Sequence, residues 1–163
     1  MSSSAAPCFP GLLPATTEGP DATEEIGRAL AASLGTADVL ALYGDLGAGK
    51  TRLVRGLVAG LGGDPDTVSS PTFTLVHTYP TAGPPLVHID AYRLSHPDDF
   101  RRIGGDELLE DAAVITVIEW PERIQTLLSR QTLCVTLTHA GGDRRHIREG
   151  VPEQQAPESQ ATG

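Results

Sequence analysis

The sequence predicts an α/β fold in which one central mixed β-sheet is flanked by helices. Three observations lead to this prediction. Short apolar runs of strand length alternate along the chain with segments whose apolar residues recur at helical spacing. The first apolar run passes directly into a glycine-rich stretch and then into such a helical segment. A chain of 163 residues without visible internal repeats has room for one domain with a hydrophobic core.

The first half of this domain contains two predicted helices and a strand. Residues 21–24, Asp-Ala-Thr-Glu, resemble a capping box and predict an amphipathic helix that continues to about Leu34. The apolar run Val39–Tyr43 predicts a buried strand. A second helix is expected over residues 52–61, where positions 53, 54, 57, 58 and 61 are apolar and form one stripe.

The second half predicts further strands with short helices between them. Proline at position 97 or 121 can occupy the first turn of a helix. Alternating or continuous apolar runs predict the strands, and the last strand is expected to pair with the one before it as a hairpin. These elements are strands at 72–79, 86–90, 114–119, 132–138 and 144–148, and short helices at 97–104 and 121–128.

The two ends of the chain are expected to lie outside the folded domain. Residues 1–20 are rich in proline and small polar residues and are predicted to be a flexible segment. Residues 149–163 contain one large aliphatic residue, Val151, and are predicted to be a disordered acidic tail. Neither segment offers enough apolar surface to offset the entropy lost on ordering. The folded domain is therefore expected over residues 21–148.

The glycine-rich stretch after the first strand fits the phosphate-binding motif G-x-x-x-x-G-K-[ST]. Lys50 is the only lysine of the chain, and every other residue of the Lys and Arg class is an arginine. In this motif the backbone N–H groups surround nucleotide phosphates, the lysine reaches the β- and γ-phosphates, and the Ser or Thr hydroxyl binds Mg²⁺. The sequence thus predicts a P-loop nucleotide-binding domain, with the motif residues Gly44, Asp45, Leu46, Gly47, Ala48, Gly49, Lys50 and Thr51.

Two further strands end in an acidic residue. Asp90 and Glu119 each close an apolar run, and P-loop enzymes use a carboxylate near the phosphates to hold Mg²⁺. Strand-end charges can also be solvated or cap a helix. The spacing does not decide which of the two acids contacts the metal.

Composition narrows the class of function. A formal charge of −9 and a pI near 4.9 disfavour direct binding to nucleic acid or to an anionic membrane. No 18-residue apolar stretch and no secretory signal are visible, so a cytoplasmic protein that does not bind membranes is expected. A GTP-driven switch is disfavoured because its guanine-recognition motif N/T-K-x-D requires a second lysine.

Four motifs follow one another along the chain. They are the P-loop at 44–51, Ser-Pro-Thr-Phe at 70–73, His-Ile-Asp-Ala-Tyr-Arg-Leu at 88–94 and Ile-Glu-Trp-Pro at 118–121. The P-loop alone indicates only a nucleotide, whereas the four motifs together are highly specific. In their order and over about residues 20–148, the chain resembles the TsaE family, the bacterial ATPase subunits of the machinery that makes N6-threonylcarbamoyladenosine in tRNA.

The resemblance implies ATP or ADP with Mg²⁺ as cofactors and assigns roles to single residues. Thr51 and Glu119 are implied as metal ligands, and Asp90 is implied to position or activate the attacking water. Trp120 is expected close to the nucleotide, and the segment around residues 18–23 is expected near the base. Ser70, Pro71 and Thr72 are implied to form a switch loop near the γ-phosphate. The implied catalytic residues are therefore Lys50, Asp90 and Glu119.

The resemblance also implies protein partners, namely the TsaD and TsaB subunits, with tRNA contacted only indirectly. A small-molecule P-loop kinase remains the alternative, because such kinases have a similar size and topology. A kinase would transfer phosphate to a metabolite, whereas an ATPase transfers it only to water. His77 and His88 lie within strand patterns and are interpreted as structural histidines.

Overall fold

A seven-stranded mixed sheet forms the centre of the molecule in the computed structural model, which describes residues 8–69 and 75–153. The spatial order of its strands is β1-β7-β6-β2-β5-β4-β3. The central strands β6, β2, β5 and β4 are mutually parallel, while β3, β7 and β1 pair antiparallel with their neighbours. In chain order the strands are β1 (Ala15–Thr17), β2 (Val39–Tyr43), β3 (Val76–Tyr79), β4 (Leu86–Asp90), β5 (Ile115–Glu119), β6 (Leu133–His139) and β7 (Arg145–Glu149).

Helices lie against both faces of this sheet, which confirms the predicted α/β fold. Short 3₁₀ turns at Ala31–Ser33, Pro65–Thr67 and Pro121–Leu127 join the main elements. None of the helices in the described ranges is long and apolar enough to cross a bilayer. The α-helices are α1 (Pro20–Leu30), α2 (Lys50–Gly60), α3 (Pro97–Arg102) and α4 (Gly105–Glu110).

Two apolar clusters fill the space between the sheet and its helices. Leu40 and Leu42 of β2 pack with α1 and α2 on one face, whereas Val87, Ile89 and Ile118 pack with α3 on the other. Strands β4 and β5 are buried along their whole length. Parallel strands covered on both faces are continuously apolar, which is why these two strands could be recognised from sequence.

Glycines bring α1 and α2 into close backbone contact. A Cβ atom at Gly56 would lie 2.0 Å from the Glu24 carbonyl oxygen, and one at Gly27 would lie 2.3 Å from the Leu53 carbonyl oxygen. No residue that carries a Cβ atom fits this close to a carbonyl oxygen. The packing of α1 against the helix that follows the P-loop therefore depends on glycine at these positions.

The start of α1 differs from the prediction. The helix begins at Pro20 with Gly19 at its N-cap, and no side chain caps it. The predicted capping box is wrong because Asp21, which would have to be the N-cap, lies inside the first turn of the helix. Thr23 is helical too, and its hydroxyl bonds Thr17 at 2.7 Å and the Gly19 carbonyl at 3.3 Å. The α-helix ends at Leu30, and the chain continues to residue 33 as a 3₁₀ turn.

The predicted helices after residue 96 also differ in detail. The segment 97–104 forms α3 only to Arg102, and a further helix, α4, follows it without having been predicted. The segment after Pro121 is a 3₁₀ helix with a kink at Ile124. The strand predicted at 144–148 does pair with β6, in the expected antiparallel hairpin.

Residues 8–20 belong to the fold, so the predicted start at residue 21 is too late. Phe9 is 1% exposed within the main apolar cluster, and β1 pairs with β7 in the register Ala15↔Ile147. The amides of Cys8 and Phe9 donate to the Glu149 carboxylate at 3.0 and 2.5 Å. Residues 1–7 and 154–163, which include most of the predicted tail, lie outside the described residues.

Candidate nucleotide-binding site

The P-loop lies between β2 and α2, in the strand–loop–helix context that the sequence predicted. Gly47 and Gly49 have φ angles of 76° and 101°, in the left-handed region that favours glycine. Gly49 is the N-cap of α2, and its carbonyl accepts the amide of Leu53 at 2.9 Å. The positive end of the α2 dipole and its free amides therefore face the loop, an arrangement that favours a bound anion.

A cavity of about 330 Å³ opens at this helix N-terminus. Charged and aromatic side chains from three separate parts of the chain meet in it. Its lining consists of residues 46–52 together with Asp90, Tyr92, Glu119 and Trp120. Six of the predicted P-loop residues, Trp120 and both strand-end acids thus share one cavity.

Lys50 is nearly buried in this cavity, with 5% of its surface exposed. Its Nζ atom donates to the Gly44 carbonyl at 2.5 Å and lies 3.7 Å from the centroid of the Trp120 ring. Burial lowers the pKa of the Lys50 ammonium, while the nearby carboxylates of Glu119, Glu122, Asp90 and Asp45 act in the opposite direction. The charge of Lys50 is therefore held at the mouth of the P-loop by a carbonyl and an aromatic face.

Trp120 adopts a left-handed backbone conformation, with φ 57° and ψ 48°. A following proline disfavours the right-handed helical region for the residue before it, and Pro121 occupies that place. Left-handed conformations of large residues carry strain and are frequent at functional sites. The conformation places the Trp120 ring between Lys50 and Tyr92, whose ring centroid lies 4.9 Å away.

Glu119 links the P-loop helix to the sheet. Thr51 Oγ1 donates to its carboxylate, at 3.3 Å from Oε1 and 3.4 Å from Oε2. On the other side, His88 Nε2 lies 2.5 Å from Glu119 Oε2. Glu119 is 3% exposed and His88 is fully buried. The carboxylate is therefore fixed between a hydroxyl of α2 and an imidazole of β4.

Asp90 stands beside Glu119 at the same edge of the sheet, because the two residues are register partners in the parallel strands β4 and β5. Its Oδ1 atom accepts the Tyr92 amide at 2.9 Å. Burial raises the pKa of the Asp90 carboxyl, and this hydrogen bond opposes the rise in part. A buried carboxyl with a raised pKa that lines a cavity is a candidate proton acceptor.

The donor set suits a small hard cation. Thr51 and Glu119 offer oxygen ligands side by side, as Mg²⁺ requires. In the described ranges, no group of three or more His, Cys, Asp or Glu forms a metal site made by protein alone. Mg²⁺ at nucleotide sites is held by one or two protein ligands, with phosphates and water completing its shell. The residues present therefore fit a metal that arrives with a nucleotide.

Other predicted residues lie elsewhere. Gly44 and Asp45 line a separate cavity of about 420 Å³ with Tyr43, Glu122 and Arg148 among others. The segment expected near the base contributes Pro20 and Thr23 to a small cavity of about 160 Å³, which also contains Gly47 and Gly49. The predicted switch residues Ser70, Pro71 and Thr72 lie outside the described residues.

Two contacts to the site were not anticipated. Arg145 of β7 donates to the Gly47 carbonyl at 3.0 Å and so supports the P-loop from a neighbouring strand. His88, interpreted from sequence as structural, contacts Glu119 directly. The sequence contained a signal only for His88, which opens the motif at 88–94 and stands two residues before Asp90, on the same side of the strand.

Comparisons with known proteins show the family to which the chain is similar. The family model described as "Threonylcarbamoyl adenosine biosynthesis protein TsaE" matches residues 17–147. A protein of Streptomyces coelicolor named tRNA threonylcarbamoyladenosine biosynthesis protein TsaE is 43% identical over 130 residues, covering 76% of this chain and 86% of the relative. Its namesake in Bacillus subtilis is 38% identical over 131 residues, which are 80% of each chain.

A solved structure shows the same fold. The crystal structure of Bacillus subtilis YdiB superposes with a TM-score of 0.68 at 31% sequence identity, and the match covers 87% of both chains. The residues that the family model matches, 17–147, include every residue that lines the cavity at the P-loop. The family-model match and the sequence relatives together show that the chain belongs to the TsaE family.

Proposed function

We propose that this protein is the ATPase subunit required to form the N6-threonylcarbamoyl group on adenosine in tRNA. It would bind ATP with Mg²⁺ and hydrolyse it in a complex with TsaD and TsaB. Membership of the TsaE family supports the pathway. The observation that carries the chemistry is the shared cavity of Lys50, Thr51, Glu119 and Asp90 at the N-terminus of α2.

The phosphates would be bound by backbone and charge together. The amides of residues 46–51 would surround the β- and γ-phosphates, and the ammonium of Lys50 would neutralise charge that develops on them. Lys50 is buried and already points into the loop, so little reorganisation is needed to reach a phosphate. The small cavity lined by Pro20 and Thr23 lies next to the loop and would receive the base.

Thr51 and Glu119 are the residues that would hold Mg²⁺. A Mg²⁺ ion held by these two residues would supply positive charge that offsets the negative charge of the phosphates. Glu119 is almost completely buried and is oriented before any ligand arrives. Such a ligand loses little conformational entropy on binding the metal.

Asp90 would orient the attacking water and accept its proton. Its position beside Glu119 places a second carboxylate next to the phosphates. Because burial raises its pKa, the carboxylate is a better proton acceptor than an exposed aspartate. The Tyr92 amide holds one of its oxygens and leaves the other for water.

Ser70, Pro71 and Thr72 would report whether the γ-phosphate is present. The flanking residue Ser69 is anchored to the fold, because its carbonyl accepts the Tyr79 hydroxyl at 3.3 Å. Tyr79 itself is buried on β3. Segments that contact the γ-phosphate of a nucleotide can pass its presence or absence on to a partner.

The single arginine that lines the cavity in the described part of the chain supports dependence on partners. Arg52 is the arginine in its lining, and its guanidinium is paired with Asp21 at 2.8 Å and Glu24 at 3.6 Å. A catalytic arginine or lid supplied in trans accelerates GTPases by about 10³–10⁵-fold. The net charge of −9 further favours partners rather than this chain as the main contact to tRNA. We also propose that the protein acts in the cytoplasm.

Phosphate release from γ-labelled ATP tests the proposal. The isolated protein should hydrolyse ATP slowly, and addition of TsaD with TsaB should increase the rate. The same mixture with tRNA and the threonylcarbamoyl donor should form the modified adenosine only when this protein is present. A Lys50→Ala variant serves as the inactive control.

The products distinguish the alternative. In an ATPase the label appears only as inorganic phosphate. Label on a small metabolite, or a fast isolated enzyme that ignores TsaD and TsaB, would favour the kinase and refute the proposed role.

A further inference from the structure

We propose that His88 is a positioning residue that orients the Glu119 carboxylate toward Thr51 and thereby sets the affinity of the nucleotide site for Mg²⁺. This inference rests on the proposed function, because it concerns the same metal-binding pair. Fold and packing alone do not explain why a histidine is buried at this position.

The position of His88 makes this contact possible. It lies in the middle of β4, opposite Val117 of β5, and two residues before Asp90. Side chains two residues apart in a strand point to the same face. Because Asp90 and Glu119 are register partners, His88, Asp90 and Glu119 share one face of the sheet, the face that α2 covers.

The contact is direct and shielded from water. Nε2 of His88 lies 2.5 Å from Glu119 Oε2, with the side chains 0% and 4% exposed. An ionised carboxylate can only accept, so His88 donates through Nε2. A charge-assisted hydrogen bond in such a dry environment is roughly twice as strong as a neutral one.

The remaining polar atom of the ring is not used for anything else in the described part of the chain. Nδ1 of His88 is buried and has no hydrogen-bond partner among those residues. Burying a polar group without a partner destabilises the fold. An apolar side chain would fill the same space without that cost, so the benefit of histidine lies in its contact with Glu119.

The geometry of Glu119 shows what this contact achieves. Without it, a glutamate at a strand end could rotate away from Thr51. With Oε2 held by His88, the other oxygen, Oε1, stays 3.3 Å from Thr51 Oγ1. Packing also limits rotation of the imidazole, since the Tyr79 ring centroid lies 6.1 Å away. His88 therefore fixes the separation of the two oxygen ligands before the metal binds.

Groups that orient a metal ligand contribute about 10–100-fold to metal affinity. Three substitutions separate this role from packing. Glutamine places an amide nitrogen near the position of Nε2, asparagine places it near Nδ1, and leucine retains volume without a donor. Thr116→Val is the matched control, because Thr116 is a buried polar residue of β5 that precedes Val117 and faces the opposite side of the sheet.

The experiment is calorimetric ADP binding by the full chain at a series of MgCl₂ concentrations. For His88→Asn and His88→Leu, the Mg²⁺ concentration giving half-maximal enhancement of ADP binding should rise by about 10–100-fold. His88→Gln and Thr116→Val should stay within about threefold of the parent. ADP affinity without Mg²⁺ should be the same for all. Thermal unfolding identifies any variant that does not fold.

The calorimetric results separate a failure of the positioning role from a failure of the metal site. Equal Mg²⁺ requirements for the glutamine and asparagine variants would overturn the positioning role, and this comparison decides even if His88→Leu does not fold. A parent protein whose ADP binding is indifferent to Mg²⁺ would instead refute the proposed metal site itself, so the two failures are distinguishable.

Discussion

The ammonium nitrogen of Lys50 lies 3.7 Å from the centroid of the Trp120 ring. These are the only lysine and the only tryptophan of the chain. A cation over an indole face gains about 0.5–2 kcal/mol, depending on how far it is removed from water. The Trp120 ring and the Gly44 carbonyl therefore hold the Lys50 ammonium at the P-loop together.

Replacing Lys50 by alanine should abolish ATP hydrolysis and weaken nucleotide binding, because the point charge on the β- and γ-phosphates is lost. It should also change the emission of Trp120 in the free protein, since the cation leaves the ring. Phosphate release and fluorescence measure the two effects. Arg28→Ala, an exposed change on α1 that removes the ion pair with Glu25, is the control. Hydrolysis at the parent rate would show that the P-loop assignment is wrong.

The two strand-end acids should respond differently to neutralisation. Glu119→Gln should raise the Mg²⁺ concentration needed for nucleotide binding, because an amide is a poorer ligand for a hard cation. Asp90→Asn should leave ADP binding largely intact and reduce hydrolysis by about 10²-fold or more, the scale of a lost acid–base group. Titrations with Mg²⁺ and ADP, combined with rate measurements, test this, and the opposite pattern would exchange the two roles.

The same Asp90→Asn change should stabilise the fold at neutral pH. Burial raises the pKa of Asp90 above its ordinary value of 3.8, so the folded state prefers the protonated form. Its contribution to stability is full below pH 3.8 and is lost as the pH rises through the folded-state pKa. Asparagine has no such loss and can still accept the Tyr92 amide.

Urea unfolding of both proteins between about pH 8 and about pH 4 measures this difference. The advantage of the asparagine variant should be largest at the high end and should shrink as the pH is lowered. A constant difference across this range would mean that Asp90 does not titrate with a raised pKa in the folded protein.

Gly56→Ala should destabilise the protein by about 1–3 kcal/mol, the usual cost of overpacking, or by more. Alanine is the better helix former, but its Cβ would meet the Glu24 carbonyl oxygen at 2.0 Å. Gly83→Ala is the control, because a Cβ there has no heavy atom within 4 Å, and its stability should change by no more than about 0.5 kcal/mol. Urea unfolding of both variants is the measurement. Equal stabilities would mean that α1 and α2 can separate without cost.

The sequence predicted the elements that carry their own signal. Strands β2, β4 and β5 are buried on both faces, so they appear as continuous apolar runs. Strand β1 has no such pattern. Its three residues are held in place by pairing with β7 and by the burial of the preceding Phe9. Contacts distant in sequence, rather than local preference, determine this strand.

The same distinction applies to the candidate site. The P-loop is a local motif, and the proximity of Asp90 and Glu119 follows from the ends of neighbouring parallel strands. Arg145 reaches the loop across 98 positions of sequence, and no local pattern indicates that contact. The roles of Lys50, Thr51, Asp90, Glu119 and Trp120 in binding and hydrolysis stay predictions until the variants are measured.

The hydrogen bonds from the Cys8 and Phe9 amides to Glu149 have a consequence for engineering. They bring the first and last described parts of the fold together at one edge of the sheet. Neighbouring ends can be joined by a linker, and the chain can be reopened at an exposed turn. A circular permutant cut beside Gly83 would thus retain the uninterrupted path from β1 to β3, with the P-loop inside it. The proposed nucleotide chemistry could then be carried by a chain in which the segments around Cys8 and Glu149 lie in the interior of the sequence.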